Sequence, residues 1–596
     1  MRYLPLLLLA LLIAAALISR EVPSSDADPG VTTRVSVSSA GIQGNDWSFV
    51  PFVSEDARYV AFSSFASNLV SGDTNGSLDG FVRDRVTNAT TRVTVATGGG
   101  QGNSDSYVTA ISADARYVAF GSFASNLVAG DSNGSYDAFV RDRQTGTTER
   151  VSVDSAENQG NADSYVTAIS ADARYVAFTS VASNLVPGDG NNYCDYDGDP
   201  IMDNCADVFV RDRQAGTTER VSVDSAGSQG NSESGFPSMS SDGRYLAFHS
   251  LASNLVAGDT NGFFDVFVRD RQAGTTERVS VNSAGGQGNS HSGNPAISAD
   301  GLFVAFESFA FNLVPGDTNF AWDAFVRDRQ SGTTERVSVD SAGDEGDSDS
   351  GIADLSSDGR FVAFESFAIN LASGDINGVW DVFVRDRQTG KTQRVSVDSA
   401  GSEGNDGSYD PSISAAGRYI AFDSDATNLA SGDTNAATDV FVHDLGDGDA
   451  DGQWDPFDNC PTWANADQSP PPWPVPPDDP DCDGSTDAEE LFMGTAPSAG
   501  CPATGVADDI DNDGDTAIDE PGEGGNDESP DAWPPDADDD QDSDIGDLML
   551  LFGGGKLLIG SDNPLYQARS DFAGDGDLDV GDVLKGFRYT ILKRCI

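Results

Sequence analysis

The sequence predicts a mainly β protein: a seven-bladed β-propeller of four-stranded blades, followed by an acidic calcium-loop stalk and a small helical module. Three observations predict the ring. One line, RYVAFGSFASNLVAGDSNGSYDAFVRDRQTGTTERVSV at 116–153, has cognates beginning at Arg58, Arg174, Arg244, Leu302, Arg360 and Arg418, at offsets of 58, 58, 70, 58, 58 and 58 residues. A fixed period of this size marks a solenoid, propeller or array. Each copy carries four short apolar runs bounded by turn residues, the content of one propeller blade. The seventh copy lacks its final TTERVSV run, and an unattached copy of it stands at 32–37 instead. That first strand is expected to complete the last blade and remove the exposed sheet edges. An open β-solenoid is the alternative.

The elements follow in chain order. Arg2 and the apolar stretch 4–18 have the anatomy of a secretory signal over 1–24, too short for a membrane span. No small-x-small cleavage site follows, which leaves an uncleaved N-terminal anchor as the alternative. Elsewhere no stretch approaches a spanning length, so the mature chain is expected outside the cell or at its surface, with no membrane span.

The ring is expected over 32–445. In its fifth repeat the four runs are 295–298, 303–307, 324–327 and 336–339. Asp300-Gly301 reads as a tight type I′ turn between the first two. Gln330-Ser331-Gly332 turns the third into the fourth. Before each third strand stands an Asp-x-Asn motif or a near variant, such as Asp317/Asn319/Asp323. Each offers about three side-chain oxygens against the roughly six to eight that calcium takes, and the motif reads as a turn that launches the strand. The third repeat carries the insertion NNYCDYDGDPIMDNC, where Asp195, Asp197, Asp199 and Asp203 lie between Cys194 and Cys205. That loop is a candidate calcium site and a candidate partner surface. The six cysteines fit an oxidising compartment. Cys194 with Cys205 is the local pairing, although six cysteines allow fifteen connectivities.

These lines, S-x-D-G-R-Y-[VI]-A-F followed by D-[VI]-[FY]-V-x-D, resemble the TolB-type (WD40-like) propeller repeats over 32–445. The resemblance implies the fold and leaves the activity open, since propellers host binders, scaffolds and enzymes.

Beyond Leu445 the apolar alternation stops. From Gly446 to Ile596 there are 37 acidic and 6 basic residues, a net −31 of the whole chain's −63. Such a surface repels nucleic acid and anionic headgroups and attracts cations. In the stalk, 446–530, Asp447, Asp449, Asp451, Asp455 and Asp458 precede Asn459-Cys460-Pro461; the spacing resembles a thrombospondin type-3 repeat, which implies wrapped calcium. After the Pro-rich spacer 469–480, Asp509, Asp511, Asp513 and Asp515 repeat the theme. Carboxylates at every second position converge on one ion when glycine lets the loop turn, and without it such a segment self-repels. In the last module, 531–596, Asp571, Asp575, Asp577, Asp579 and Asp582 take places one, five, seven, nine and twelve of an EF-hand-like loop with Gly576 at its turn. The earlier Asp536, Asp538, Asp540, Asp544 and Asp547 precede the apolar run LMLLF. The pair resembles a dockerin, with Ala573 in place of one ligand and Gln541 in place of the loop glycine. The resemblance implies calcium as cofactor and a cohesin-like partner.

Catalytic signatures are scarce: the chain has three histidines and no H-E-x-x-H, Walker or dinucleotide motif. No catalytic residue is therefore assigned. The expected function is non-enzymatic, calcium-dependent binding of an extracellular protein or polysaccharide, or adhesion. The alternative is a carbohydrate-active hydrolase carried into a polysaccharide-degrading assembly. An enzyme would show carboxylates that break the seven-fold pattern and meet at the central opening.

Overall fold

The computed structural model describes residues 30–190, 205–447, 453–457, 559–560 and 577–578. The signal segment, the calcium-loop aspartates of the insertion and most of the acidic tail lie outside them. The chain divides into two units, Met1–Leu445 and Gly446–Ile596.

The first unit contains seven antiparallel four-stranded sheets, which is the expected propeller. Six sheets run in simple sequence order, as in the fifth: Ser292–Ile297, Phe303–Ser308, Asp323–Asp328 and Thr333–Arg336. The seventh is assembled from both ends of the ring. Val31–Arg34 pairs antiparallel with Asp439–Asp444, setting Thr32 opposite His443 and Arg34 opposite Phe441. The orphan N-terminal copy therefore does complete the last sheet.

First strands of neighbouring sheets touch one another all the way round, so they form the inner wall. The second and third strands are buried on both faces, consistent with their runs of Val, Ala and Phe. Between them lies a stacked phenylalanine pair per sheet, for example Phe120 and Phe139 with centroids 5.4 Å apart and no exposure. Burying each such ring contributes roughly 1.5–3 kcal/mol.

Identical pins join the sheets. A fourth-strand threonine hydroxyl donates to a valine carbonyl of the preceding sheet: Thr90 to Val37 at 2.5 Å, Thr276 to Val223 at 2.6 Å, and Thr32 to Val397 at 2.5 Å across the closure. Arginines stack on the preceding sheet's tyrosine, as Arg271 does over Tyr175 at 4.3 Å and Arg85 over Tyr419 at 4.7 Å.

Two local expectations change. The Asp300-Gly301 turn is not type I′: only Gly301 is left-handed (φ 74), and its N–H donates to Ser298. That is a type I turn followed by a left-handed residue, a common three-residue hairpin solution. The fourth strand ends at Arg336 instead of Val339, because Val339 bends back to bridge Glu345.

In the second unit, Ile559–Gly560 pairs antiparallel with Asp577–Leu578. These last two residues are places seven and eight of the expected EF-hand-like loop.

Candidate functional site

One end of every sheet gathers the first-strand start, the second-strand end and the third-strand start, as in the row Ser106, Ser122, Asp137. Around the ring this end forms one face, and it is rich in aromatic side chains. Tyr136 stacks on Tyr165 at 4.9 Å and takes Phe123 edge-on at 4.8 Å. Gly121 makes this possible, since a Cβ there would sit 2.2 Å from the Tyr136 ring. His249 lies between Phe236 and Phe264, at 5.0 and 4.9 Å. Phe309 packs on Trp322 and Phe367 on Trp380, each at 5.9 Å. Trp47, Phe123 and Phe236 keep half or more of their surface exposed (56%, 50% and 59%). Exposed aromatic side chains therefore recur on this face from sheet to sheet.

The same face carries the carboxylates that break the seven-fold pattern. The penultimate residue of the second strands reads Ser63, Gly121, Thr179, His249, Glu307, Glu365, Asp423. Three neutral residues are followed by four ionisable ones. Apart from Gly121, each lies against the inner strand of the next sheet, and every first strand is bulged. Ser63 Oγ accepts the Val108 N–H at 3.0 Å, Glu365 Oε2 accepts that of Asp410 at 3.0 Å, and Asp423 Oδ1 accepts that of Val50 at 3.0 Å. Glu307 Oε1 accepts Asn294 Nδ2 at 2.7 Å within its own sheet. Val50 and Asp410 are both left-handed at φ 50, a costly conformation, above all for a β-branched valine. The acceptor on the preceding sheet helps to hold that bulge.

Glu365, Asp410 and Asp423 hold their protons tightly. Burial, reinforced by the charges of Asp410 and Glu307, pushes Glu365 up to about 7. Asp423 is raised well above the usual carboxylate range by burial and by Asp410, and Asp410 is raised by burial. Burial lowers His249 to about 4, so its ring is neutral at physiological pH.

On the outer part of six sheets the Asp-x-Asn turn behaves as expected. Asn75 Oδ1 accepts the Ser77 N–H at 3.1 Å, which makes it a turn former. Its two aspartates do more than launch a strand. In the first sheet Arg92 bridges Asp73 and Asp79 at 3.3 and 3.1 Å, and Gln101 Nε2 donates to both, at 2.9 and 3.3 Å. Arg34, Asp433, Asp439 and Gln43 rebuild this cluster across the closure. In the fifth and sixth sheets the glutamine is replaced by Glu345 and Glu403.

Of the sequence-predicted metal ligands, Asp447 lies in irregular backbone after the seventh sheet, Asp455 in the turn before Phe457, and Asp577 in the short strand. The other expected ligands lie outside the described residues, as do Asp195, Asp197, Asp199 and Asp203. Cys205 is buried and disulfide-bonded.

No protein-family model and no curated protein sequence matches the chain. Solved structures do. TolB from Acinetobacter baumannii is similar at 14% identity and TM-score 0.32 over 59% of this chain, which spans 65% of that protein. Oligogalacturonate lyase from Vibrio parahaemolyticus is similar at 14% identity and TM-score 0.41, covering 71% of this chain and 95% of that one. The propeller domain of the Trilobed protease from Pyrococcus furiosus is similar at 11% identity and TM-score 0.40, covering 67% and 96%. The likeness is one of fold.

Proposed function

We propose that the chain is an exported, non-enzymatic binding protein whose propeller captures an extracellular protein or polysaccharide on its aromatic face. The acidic segment 446–530 serves as a calcium-stiffened stalk, and 531–596 as a dockerin-like attachment module. The observation that carries the reading is the exposed aromatic rim around the inner strands. Aromatic side chains combine large contact area with low ordering cost, which suits them to anchor a ligand. The chain's net charge of −63 favours a neutral or cationic ligand and disfavours polyanions. Binding of the full chain to neutral polysaccharides and to basic extracellular proteins tests it. Phe309→Ala combined with Phe367→Ala is expected to weaken binding at least tenfold and to leave the thermal unfolding of the ring little changed. Undiminished binding by that variant would refute the assignment of this face.

One observation favours a second reading, a carbohydrate-active hydrolase. Glu365, Asp410 and Asp423 break the seven-fold pattern, and a carboxyl with a pKa near 7 suits a general acid. Release of reducing ends from a polysaccharide by the full chain, abolished in Glu365→Gln, would establish it in place of the binding reading.

A further inference from the structure

The sixth sheet differs from the other six in one buried atom. In five sheets a glutamine donates to the first aspartate of the cluster: Gln43 to Asp433, Gln101 to Asp73 and Gln159 to Asp131 at 2.9 Å, Gln229 to Asp189 and Gln287 to Asp259 at 2.8 Å. Glu403 in the sixth sheet has no such donor. Asp375 Oδ1 is buried without a hydrogen-bond partner, on a side chain only 2% exposed. One oxygen each from Asp375, Asp381 and Glu403 lies within 4.8 Å of the others. Arg394 already serves all three, at 3.5, 3.6 and 2.7 Å. Three carboxylates against one guanidinium leave a formal charge of minus two.

The fifth sheet is the nearest comparison: its Asp317 also lacks a glutamine donor and meets Arg336 at 3.7 Å, yet neither Asp317 oxygen is among the buried unpartnered atoms. It holds the same three acids, Asp317, Asp323 and Glu345, also within 4.8 Å. There Glu345 accepts the Thr318 N–H at 2.8 Å, the Thr318 hydroxyl at 2.7 Å and the Asn319 N–H at 3.3 Å. In the sixth sheet Ile376 replaces that threonine and offers only its N–H, at 3.1 Å. The donors that satisfy Glu345 are thus reduced at Glu403, and a buried acceptor is left over.

We propose that the sixth sheet binds one hard divalent cation of the calcium class between Asp375, Asp381 and Glu403. A dication answers the residual charge, and it supplies to Asp375 what the glutamine side chain supplies in five other sheets. Calcium accepts mixed carboxylate and water ligation. The adjoining loop residues Gly374 and Ile376 are exposed, so water has access to complete the shell. An extracellular site of this kind binds with a Kd of about 10⁻⁴ to 10⁻³ M.

The test uses the full chain and two single variants, Glu403→Gln and Glu345→Gln, each of which restores the glutamine of the five other sheets. Bound calcium per chain is counted by equilibrium dialysis at millimolar calcium, and thermal unfolding of the ring is followed with calcium and with chelator. Glu403→Gln is expected to bind one ion fewer than the native chain and to lose the calcium-dependent rise in melting temperature. Glu345→Gln is expected to keep both. Ions held by the acidic tail cancel in these differences, so failure of the stalk reading leaves the test intact. Equal ion counts in the native chain and Glu403→Gln would overturn the proposal. So would an equal loss in both variants, or a ring that responds to acidification but not to calcium.

Discussion

Glu365 shows how far one variable position departs from the line around it. An acid whose folded pKa exceeds its unfolded value opposes folding once the unfolded chain ionises first. For Glu365, with an ordinary value of 4.5 raised to about 7, the penalty is absent below pH 4.5, grows across the interval and is complete above pH 7. The facing groups are Asp410, Glu307 and Asp423, with Tyr409 beside them. Glu365→Gln keeps an acceptor for the Asp410 N–H and removes the charge. It should stabilise the ring at pH 7.5 by on the order of 2–3 kcal/mol and change little at pH 4. Denaturant midpoints at the two pH values check this; equal shifts at both would contradict it. In the sequence this position was hidden by its neighbours, because the repeated YVAF…S frame reads as uniform unless its fifth letter is aligned across all seven copies. The Gln/Glu exchange escaped for a related reason. It lies in the connection after the fourth strand, outside the repeated line, and its chemistry depends on aspartates 22 to 28 residues earlier, a pairing only the fold reveals.

The N-terminal strand carries the closure. Its spacing was legible because the surplus TTRVSV at 32–37 differs from the missing TTERVSV only by its glutamate. What the letters did not disclose is how much chemistry the strand brings with it. Arg34 bridges Asp433 at 3.0 Å and Asp439 at 3.2 Å, and the Thr32 hydroxyl lies 2.8 Å from His443 Nδ1 as well as against Val397. Arg34→Ala leaves two buried carboxylates short of their cation and should cost about 3 kcal/mol. Thr32→Val strands the Val397 carbonyl and should cost roughly 1–3 kcal/mol. Because the clusters are equivalent, Arg92→Ala in the first sheet should cost about as much as Arg34→Ala. Chemical denaturation followed through the ring's own transition compares the three. An Arg34→Ala chain as stable as the native one would mean that the strand is dispensable for closure. The turn type was misread for a physical reason: Asp-Gly signals a left-handed position, and the copies with Ala57, Ala115 and Ala173 show that only the second of the two places needs it.

Taken whole, the ring is regular in what holds it together and irregular in what it presents. Pins, stacked phenylalanines and arginine clusters repeat around it, which is why the fold could be read from periodicity alone. The aromatic and acidic face varies from sheet to sheet. On the proposed reading, its composition, not its position, is where a ligand would be distinguished. Periodicity is silent there, since a binding surface gains selectivity by breaking the repeat. Hydroxyl-radical footprinting of the full chain, with and without a bound neutral polysaccharide or basic protein, separates this face from the rest of the surface. Protection confined to residues such as Trp47, Phe123, Phe236, Phe309 and Phe367 is the predicted result. Protection on the outer strands, with these aromatic side chains reacting as before, would contradict it.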